Sequence, residues 1–501
     1  MWPGDLETPD GTTVWAYCWP VSAEAGETVG LHCSSPVPQV TVEVARVGGT
    51  REVVWTGTLQ AEHLAMPDDA DEHGCDWPVA LPITVDEGWR SGFYEVVVQP
   101  ADGGGSEHNR AFFVVRPSAR RARILLGLST NTWNAYNDVA GSNTYTGNTR
   151  ASFCRPMVRG LLHKPEGPGR RVPVIGDADP TMTDHITYLL TNLVSQWSGS
   201  AGWPNYEHPF IEWAERAGYA LDVVVNEDLA RPGALDGYEL LLSVGHDEYW
   251  SWEMRDAVES FVTGGGNAAF LSGNVAFWQV RSEDDGRTMI AYKQQLADDP
   301  VFGSDRQDRL TSIWSDHLIG RPENHLTGLS FSRGGYHRIG LRSPQGAGGY
   351  QVERPEHWLL AGTGLEYGDL LGTAGTAVGY ECDGCDLRIG ADGRLEPAGT
   401  DGTPADFEIV ATAPASPFDR RTSIRPPEPG EPSEAEFIAE RVFGSADAPE
   451  AQALAYGHAV LGTFTRGGTV VAAGCTEWPA ALAAGDAQIE QITRTILDRL
   501  G

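Results

Sequence analysis

The alternation of apolar and polar positions is most informative between Tyr238 and Arg281. An apolar run, YELLLSV, stops abruptly at GHDEYW, and a second, NAAFLS, stops at GN. The first run is short and uniformly apolar, which predicts a strand buried on both faces. Between the runs, Met254, Ala257, Val258, Phe261 and Val262 fall on one face of a helix, and Glu253, Arg255, Asp256 and Glu259 on the other. Gly264 to Gly266 end that helix. The expected unit is strand, helix, strand. It sets His246, Asp247, Glu248 and Tyr249 at the end of one strand and Asn274 at the end of the next. Ligands of open parallel sheets sit outside such carboxyl ends, so these groups converge if the strands are neighbours.

The same patterning organises the rest of the chain. Residues 13 to 116 alternate β-patterned runs (TVGLHCS, VTVEVARV, REVVWTGTL, GFYEVVVQ, RAFFVVR) with turn signals, which predicts an antiparallel β-sandwich domain, Ig-like or lectin-like, over 1–118. This domain has no cluster of acid, base and nucleophile, and packing or binding is its expected role. RPSARRAR at 116–123 is a basic joint. After it RILLGLS reads as another buried strand and empties into a polar loop, TNTWNAYNDVAGSNTY, that carries Tyr136 and Tyr145. FIEWAERAG reads as a helix and YALDVVV as a strand. The order predicts an α/β domain over 119–501, a doubly wound parallel sheet with helices on both faces. A β- and loop-rich insertion is expected at about 282–460, capping one end of the sheet and including the proline-rich IRPPEPGEPSEAE. A hairpin, AVLGTFTRGGTVVAAG, and a helix with Ile489, Ile492, Ile496, Leu497 and Leu500 on one face close the chain.

At 501 residues the chain is too long for one core. Its 69 acidic against 36 basic residues give a formal charge of −33, which repels nucleic acid and anionic membranes at long range. No apolar stretch approaches the roughly 20 residues that span a bilayer. The opening MWPGDLETPDGTT has neither the basic nor the apolar region of a secretory signal, and seven scattered cysteines do not form a disulfide pattern. A reducing cytoplasm is expected.

The turn GHDEYW occupies the place of a nucleophile elbow but holds no Ser or Cys, which argues against an acyl-enzyme there. His, Asp, Glu and Tyr suit general acid–base work or hard-metal ligation. Simpler roles stand beside these: His246 as a turn cap, Glu248 as a partner for the helix dipole, Tyr136 and Tyr145 as packing aromatics. Cys382 and Cys385 form a CxxC with no second pair to complete a zinc site, and read as free loop thiols. Cys475 is a nucleophile candidate at a strand end.

TWNAYN with a tyrosine nine residues after Tyr136, SFCRP at 152–156, GHDEYW, SGN at 272–274, HWLLAGTG at 357–364, and CTEW followed by ITRTILDRL together resemble the large (beta) subunit family of N,N-dimethylformamidase. The likeness runs from about 122 to the end, and the N-terminal sandwich resembles that family's too. It implies a catalytic sheet resembling class I glutamine amidotransferases. It implies hydrolysis of a small amide or formamide C–N bond by water activated on a mononuclear Fe(III). By motif, the iron ligands are Tyr136, Tyr145 and Glu248, and the active-site residues are His246, Asn274 and Glu381. His246 or Glu381 would move protons to the departing amine, and Asn274 would help to hold the oxyanion. A possible small partner subunit and an oligomer are further implications, while the charge already argues against a nucleic acid or membrane partner. The loop VAGSNTY departs from the family's GG before the second tyrosine. Two other readings remain: a glycoside hydrolase using Asp247 or Glu248 with a second carboxylate, and a non-catalytic binding protein on a degenerate amidotransferase-like sheet.

Overall fold

Uniform apolarity along YELLLSV and NAAFLS produces two strands, Leu240–His246 and Asn267–Gly273, paired in parallel along their whole length, from Leu240 opposite Asn267 to His246 opposite Gly273. The two strands therefore stop level with each other, and Asn274 emerges beside His246. This computed structural model describes residues 13–101, 110–170, 172, 182–339, 346–419, 432–447 and 449–501.

The helix between the strands, Trp252–Thr263, starts where Ser251 Oγ accepts the Met254 N–H at 3.2 Å and ends at Gly264. Met254, Val258 and Val262 are buried as the periodicity predicts. Arg255, expected on the polar face, is fully enclosed. Its Nε donates to Glu259 at 2.8 Å, its terminal nitrogens donate to the carbonyls of Arg321 and Pro322 at 2.5 and 2.6 Å, and it stands 4.5 Å over the Trp314 ring. Burial lowers its pKa to about 10 despite the neighbouring Glu259. Periodicity misses this because the cover comes from residues 314–322, remote in sequence.

The chain packs as two units, the first comprising Met1–Arg170, Pro180–Gly237 and Arg281–Tyr292, the second Arg171–Asp179, Tyr238–Val280 and Lys293–Gly501. This division does not follow a break near residue 118. In the second unit, parallel pairing continues from Asn267–Gly273 to Gly468–Ala472. Gly457–Arg466, Glu408–Ala415 and Tyr350–Val352 then follow antiparallel. Part of the stretch expected to cap the sheet thus extends it. Its strands are short and broken by Gly- and Pro-rich loops, so the sequence pattern is weak, yet six of the eight residues of Glu408–Ala415 are buried. Most of the proline-rich run lies outside the described residues; Ser433, near its end, caps the helix Glu434–Phe443. In the last helix, Ala487–Leu500, Ile489, Ile492, Ile496, Leu497 and Leu500 are all buried.

In the first unit, two sheets share a core of alternating side chains such as Val40, Val42, Val44, Val96 and Phe113. One sheet has five strands and the other three, Trp15–Trp19, Thr28–Ser34 and Val79–Thr84. Within the same unit Ile124–Leu128 and Leu221–Val225 pair in parallel. The polar TNTWNAY that follows, expected as loop, is a short buried helix, Thr130–Tyr136. Its polar groups are matched inside the protein: Trp133 Nε1 donates to Glu207 at 3.1 Å and Asn134 Nδ2 to the Ala151 carbonyl at 3.0 Å.

Truncating Arg255 to Ala takes a donor from the Arg321 carbonyl and one of two donors from each of the Pro322 carbonyl, which keeps the His325 N–H, and the Glu259 carboxylate, which keeps Arg321, and is expected to cost about 3–5 kcal/mol in urea unfolding. Burial works to raise the Glu259 pKa, but Arg255 and Arg321 outweigh it and hold it low. Its stabilising contribution is therefore complete above the unfolded value near 4.3 and is lost as the pH falls through the lower folded value. Glu259→Gln is expected to remove that component from acid unfolding curves.

Candidate active site

The glycine of SGN decides how the site is built. A Cβ on Gly273 would stand 2.3 Å from the Glu381 carbonyl oxygen and 2.6 Å from the Thr476 nitrogen, so only glycine lets the strand Glu381–Gly384 come this close. Thr476 fastens that strand: its N–H donates to the Glu381 carbonyl at 3.1 Å, and its Oγ1 accepts the Glu381 N–H at 3.4 Å.

Glu381 is thereby held against the paired strand ends. Its Oε2 lies 2.6 Å from His246 Nε2 and accepts Asn274 Nδ2 at 2.9 Å, with all three residues buried. Burial alone would raise the Glu381 pKa, but the His246 charge and hydrogen bonds from His246, Asn274 and Tyr380 outweigh it and hold the carboxyl below its usual range. Glu381 is therefore the acceptor in this contact. Glu248 faces the same histidine, with Oε2 3.4 Å from Nε2, while its Oε1 accepts Trp278 Nε1 at 2.7 Å.

Asn274 takes a left-handed backbone, φ +53, and Ala276 repeats it at +51. Asp383 clamps this turn, one carboxylate oxygen accepting the Asn274 N–H at 2.8 Å and the other the Val275 N–H at 3.2 Å. Burial pushes the Asp383 pKa up to about 8, against the pull of those two N–H groups. With Nδ2 bonded to Glu381, Asn274 Oδ1 is buried and has no hydrogen-bond partner among the described residues. It is an open acceptor.

Three contributors were not anticipated. Lys293 is buried at φ +52, donates from Nζ to the Tyr249 hydroxyl at 2.8 Å and stands 4.6 Å over the Trp278 ring. Burial brings its pKa down to about 7, opposed by Glu248 and Glu381. Nothing near AYKQQ signals this. Asp383 was legible in principle, because Glu381 and Asp383 in ECD share one face of a strand. Trp278, four residues beyond Asn274, was not singled out.

Tyr136 and Tyr145 meet in the first unit. Their hydroxyl oxygens are 2.9 Å apart, their ring centroids 4.8 Å, and Trp197 packs on both at 6.1 and 5.4 Å. Asn143 fixes the loop between them, Oδ1 accepting the Tyr145 N–H at 2.9 Å and Nδ2 donating to the Tyr136 carbonyl at 3.4 Å. Among the described residues no group of three His, Cys, Asp or Glu is arranged for a metal ion. The tyrosine pair offers other donors. Their oxygens stand at hydrogen-bond distance from each other and are hard donors, of the kind a hard ion would take.

Cys382 and Cys385 are free thiols as expected and both are buried, Cys382 within the strand Glu381–Gly384 and Cys385 just after it. Cys382 Sγ lies 3.7 Å from Cys475 Sγ, which also receives the Gly379 N–H at 3.1 Å. Enclosed in this way, Cys475 is not placed as a nucleophile.

Residues 41–491 match the family model described as N,N-dimethylformamidase beta subunit-like, C-terminal. The chain belongs to that family. Its similar relatives include the N,N-dimethylformamidase beta subunits of an Alcaligenes species, 26% identical over 355 residues, and of Paracoccus aminophilus, 25% identical over the same length. Each alignment covers 63% of this chain and 43% of the relative, so the chain spans less than half the length of those dimethylformamidase subunits. Among solved structures, native alpha-2-macroglobulin from Escherichia coli aligns at TM-score 0.14 and 11% identity over 21% of this chain and 61% of that one, too weakly to bear on the fold.

In this dimethylformamidase-family chain, Asp383→Ala would leave two buried backbone N–H groups without acceptors. The expected cost is about 2–4 kcal/mol in urea unfolding, with faster amide exchange at Asn274 and Val275 than at neighbouring positions. Unchanged exchange there would contradict the clamp.

Proposed function

We propose that the protein hydrolyses the C–N bond of a small amide or formamide. The observation that carries this reading is the three-way contact at Glu381 Oε2, with His246 Nε2 at 2.6 Å and Asn274 Nδ2 at 2.9 Å, in a chain of the dimethylformamidase family. Amide hydrolysis needs an activated water, a hold on the substrate and a proton for the departing nitrogen. By the family's motifs, Tyr136, Tyr145 and Glu248 would be the ligands of one ferric ion, their hard anionic oxygens suiting a trivalent metal. When bound, that ion polarises the carbonyl and makes a water more acidic.

The protein groups carry the protons. As water adds to the carbonyl carbon, Glu381 accepts the proton that the water loses. His246 then gives its Nε2 proton to the leaving nitrogen as the C–N bond breaks, and recovers one from Glu381 across the 2.6 Å contact. The products are a carboxylic acid and an amine, and both residues return to their starting state. Asn274 orients Glu381 through Nδ2. Its open atom, Oδ1, is an acceptor and suits the N–H of the protonated leaving amine better than an oxyanion.

The relatives are named beta subunits, which supports a partner subunit and an oligomeric enzyme. The parallel core around Leu240–His246 supports an amidotransferase-like sheet. Seven free cysteines suit a reducing cytoplasm, and among the described residues no helix is long and apolar enough to cross a membrane. The glycoside hydrolase reading is less supported. Asp247 Oδ2 accepts Ser243 Oγ at 2.9 Å, and Glu248 and Glu381 both approach His246 Nε2, at 3.4 and 2.6 Å, so the histidine stands between the two carboxylates that a glycosidase would leave open to its substrate.

Tyr136→Phe is expected to lose bound iron and the visible phenolate-to-iron absorption together while the far-ultraviolet circular dichroism stays unchanged; a variant that keeps both would sink the ligand assignment. Glu381→Gln is expected to keep iron and lower amide hydrolysis by about 10²–10⁴-fold.

A further inference from the structure

The first unit contains a cleft of about 550 Å³ in which the charge balance of the chain is reversed. Over the whole sequence acidic residues outnumber basic ones 69 to 36. The cleft is lined by Arg46, Arg90, Arg121 and Arg216 against only Glu215 and Asp222. It lies where the sandwich strand Gln39–Val47 and the turn after it meet the end of the helix Glu207–Arg216 and the residues leading into Ile124–Leu128 and Leu221–Val225.

Both acids in the cleft are already committed. Glu215 accepts the two terminal nitrogens of Arg46 at 3.3 and 2.5 Å and the Gly49 N–H at 2.7 Å. Asp222 Oδ2 accepts the backbone N–H groups of Arg121 and Ala122 at 2.9 and 3.1 Å. Arg46 is the anchored wall of the cleft, its Nε donating to the Ser91 carbonyl at 3.1 Å with 5% of the side chain exposed. Arg90, Arg121 and Arg216 are exposed on the rim. Arg90 meets Glu52 at 3.3 Å and Arg216 meets Glu212 at 2.6 Å, in exposed pairs worth little in water. The Arg121 guanidinium has no side-chain partner among the described residues.

We propose that this cleft binds a small polyanion carrying at least two phosphate or carboxylate groups. Guanidinium forks match both oxyanions in a bidentate way, and exposed arginines exchange weak surface partners for a charged ligand at small cost. The volume is that of a small-molecule site. On a surface otherwise acidic, a positive cleft also focuses anions toward itself. The basic joint RPSARRAR thereby gains a role beyond linking segments, since Arg121 lies within it.

The test is calorimetric titration of the full chain with inorganic pyrophosphate and, separately, with citrate, each against sodium chloride at matched ionic strength. Saturable binding of at least one polyanion is expected, weakened about tenfold or more in an Arg90→Ala/Arg121→Ala double variant. Both positions are on the rim, so the variant's unfolding midpoint without ligand is expected to match the parent. Pyrophosphate alone binding assigns a phosphate-bearing ligand, citrate alone a polycarboxylate, and both a general polyanion site. No saturable binding at matched ionic strength, or binding that the double variant leaves unchanged, overturns the proposal.

Discussion

A carboxylate enclosed by protein is stable only when donors replace the water it has lost. At Glu381 those donors are His246 and Asn274, each at the end of one of two paired strands. The rest of the second unit can be understood from that requirement. The full register of Leu240–His246 with Asn267–Gly273 brings the donors level, the missing side chain at Gly273 admits the Glu381 strand, and Thr476 fastens it. Asp383, two residues on, holds the backbone of the same asparagine whose side chain Glu381 holds. Loss of any of these would leave a charge buried without its partners.

The arrangement is held under strain. Asn274, Ala276 and Lys293 all take left-handed backbone conformations without being glycine, at a cost on the order of 1 kcal/mol or more each. Such conformations persist where surrounding bonds over-determine them. The Asn274 and Val275 N–H groups are clamped by Asp383, the Ala276 N–H donates to the Asp247 carbonyl at 2.9 Å, and the Lys293 N–H donates to the Thr311 carbonyl at 2.9 Å. The strain fixes side chains at defined points, which proton transfer between Glu381 and His246 requires.

Much of this was legible in the residues. The two apolar runs and the helix between them specify the strand ends, and so His246, Glu248 and Asn274. Glu381 was reachable only through the family likeness, because the strand that carries it has four residues and its neighbour in space, Gly273, is more than 100 positions away. Arg255 and the Thr130–Tyr136 helix defeated the polar-means-exposed rule for one reason: their polar groups bond to interior partners that periodicity does not register. Lys293 is the extreme case, a buried ammonium in a segment with no local pattern. Short strands such as Tyr350–Val352 were illegible because three residues carry too little alternation to distinguish strand from loop.

The Glu381 cluster is proposed to serve amide hydrolysis. The most direct test is to follow iron-loaded protein by proton magnetic resonance with a panel of formamides and small acetamides, integrating carboxylate and amine products, with and without a candidate partner subunit. Equimolar release of acid and amine from at least one amide is expected. Iron-loaded, folded protein that leaves every amide intact under both conditions, or that instead cleaves glycosides, would contradict the proposal.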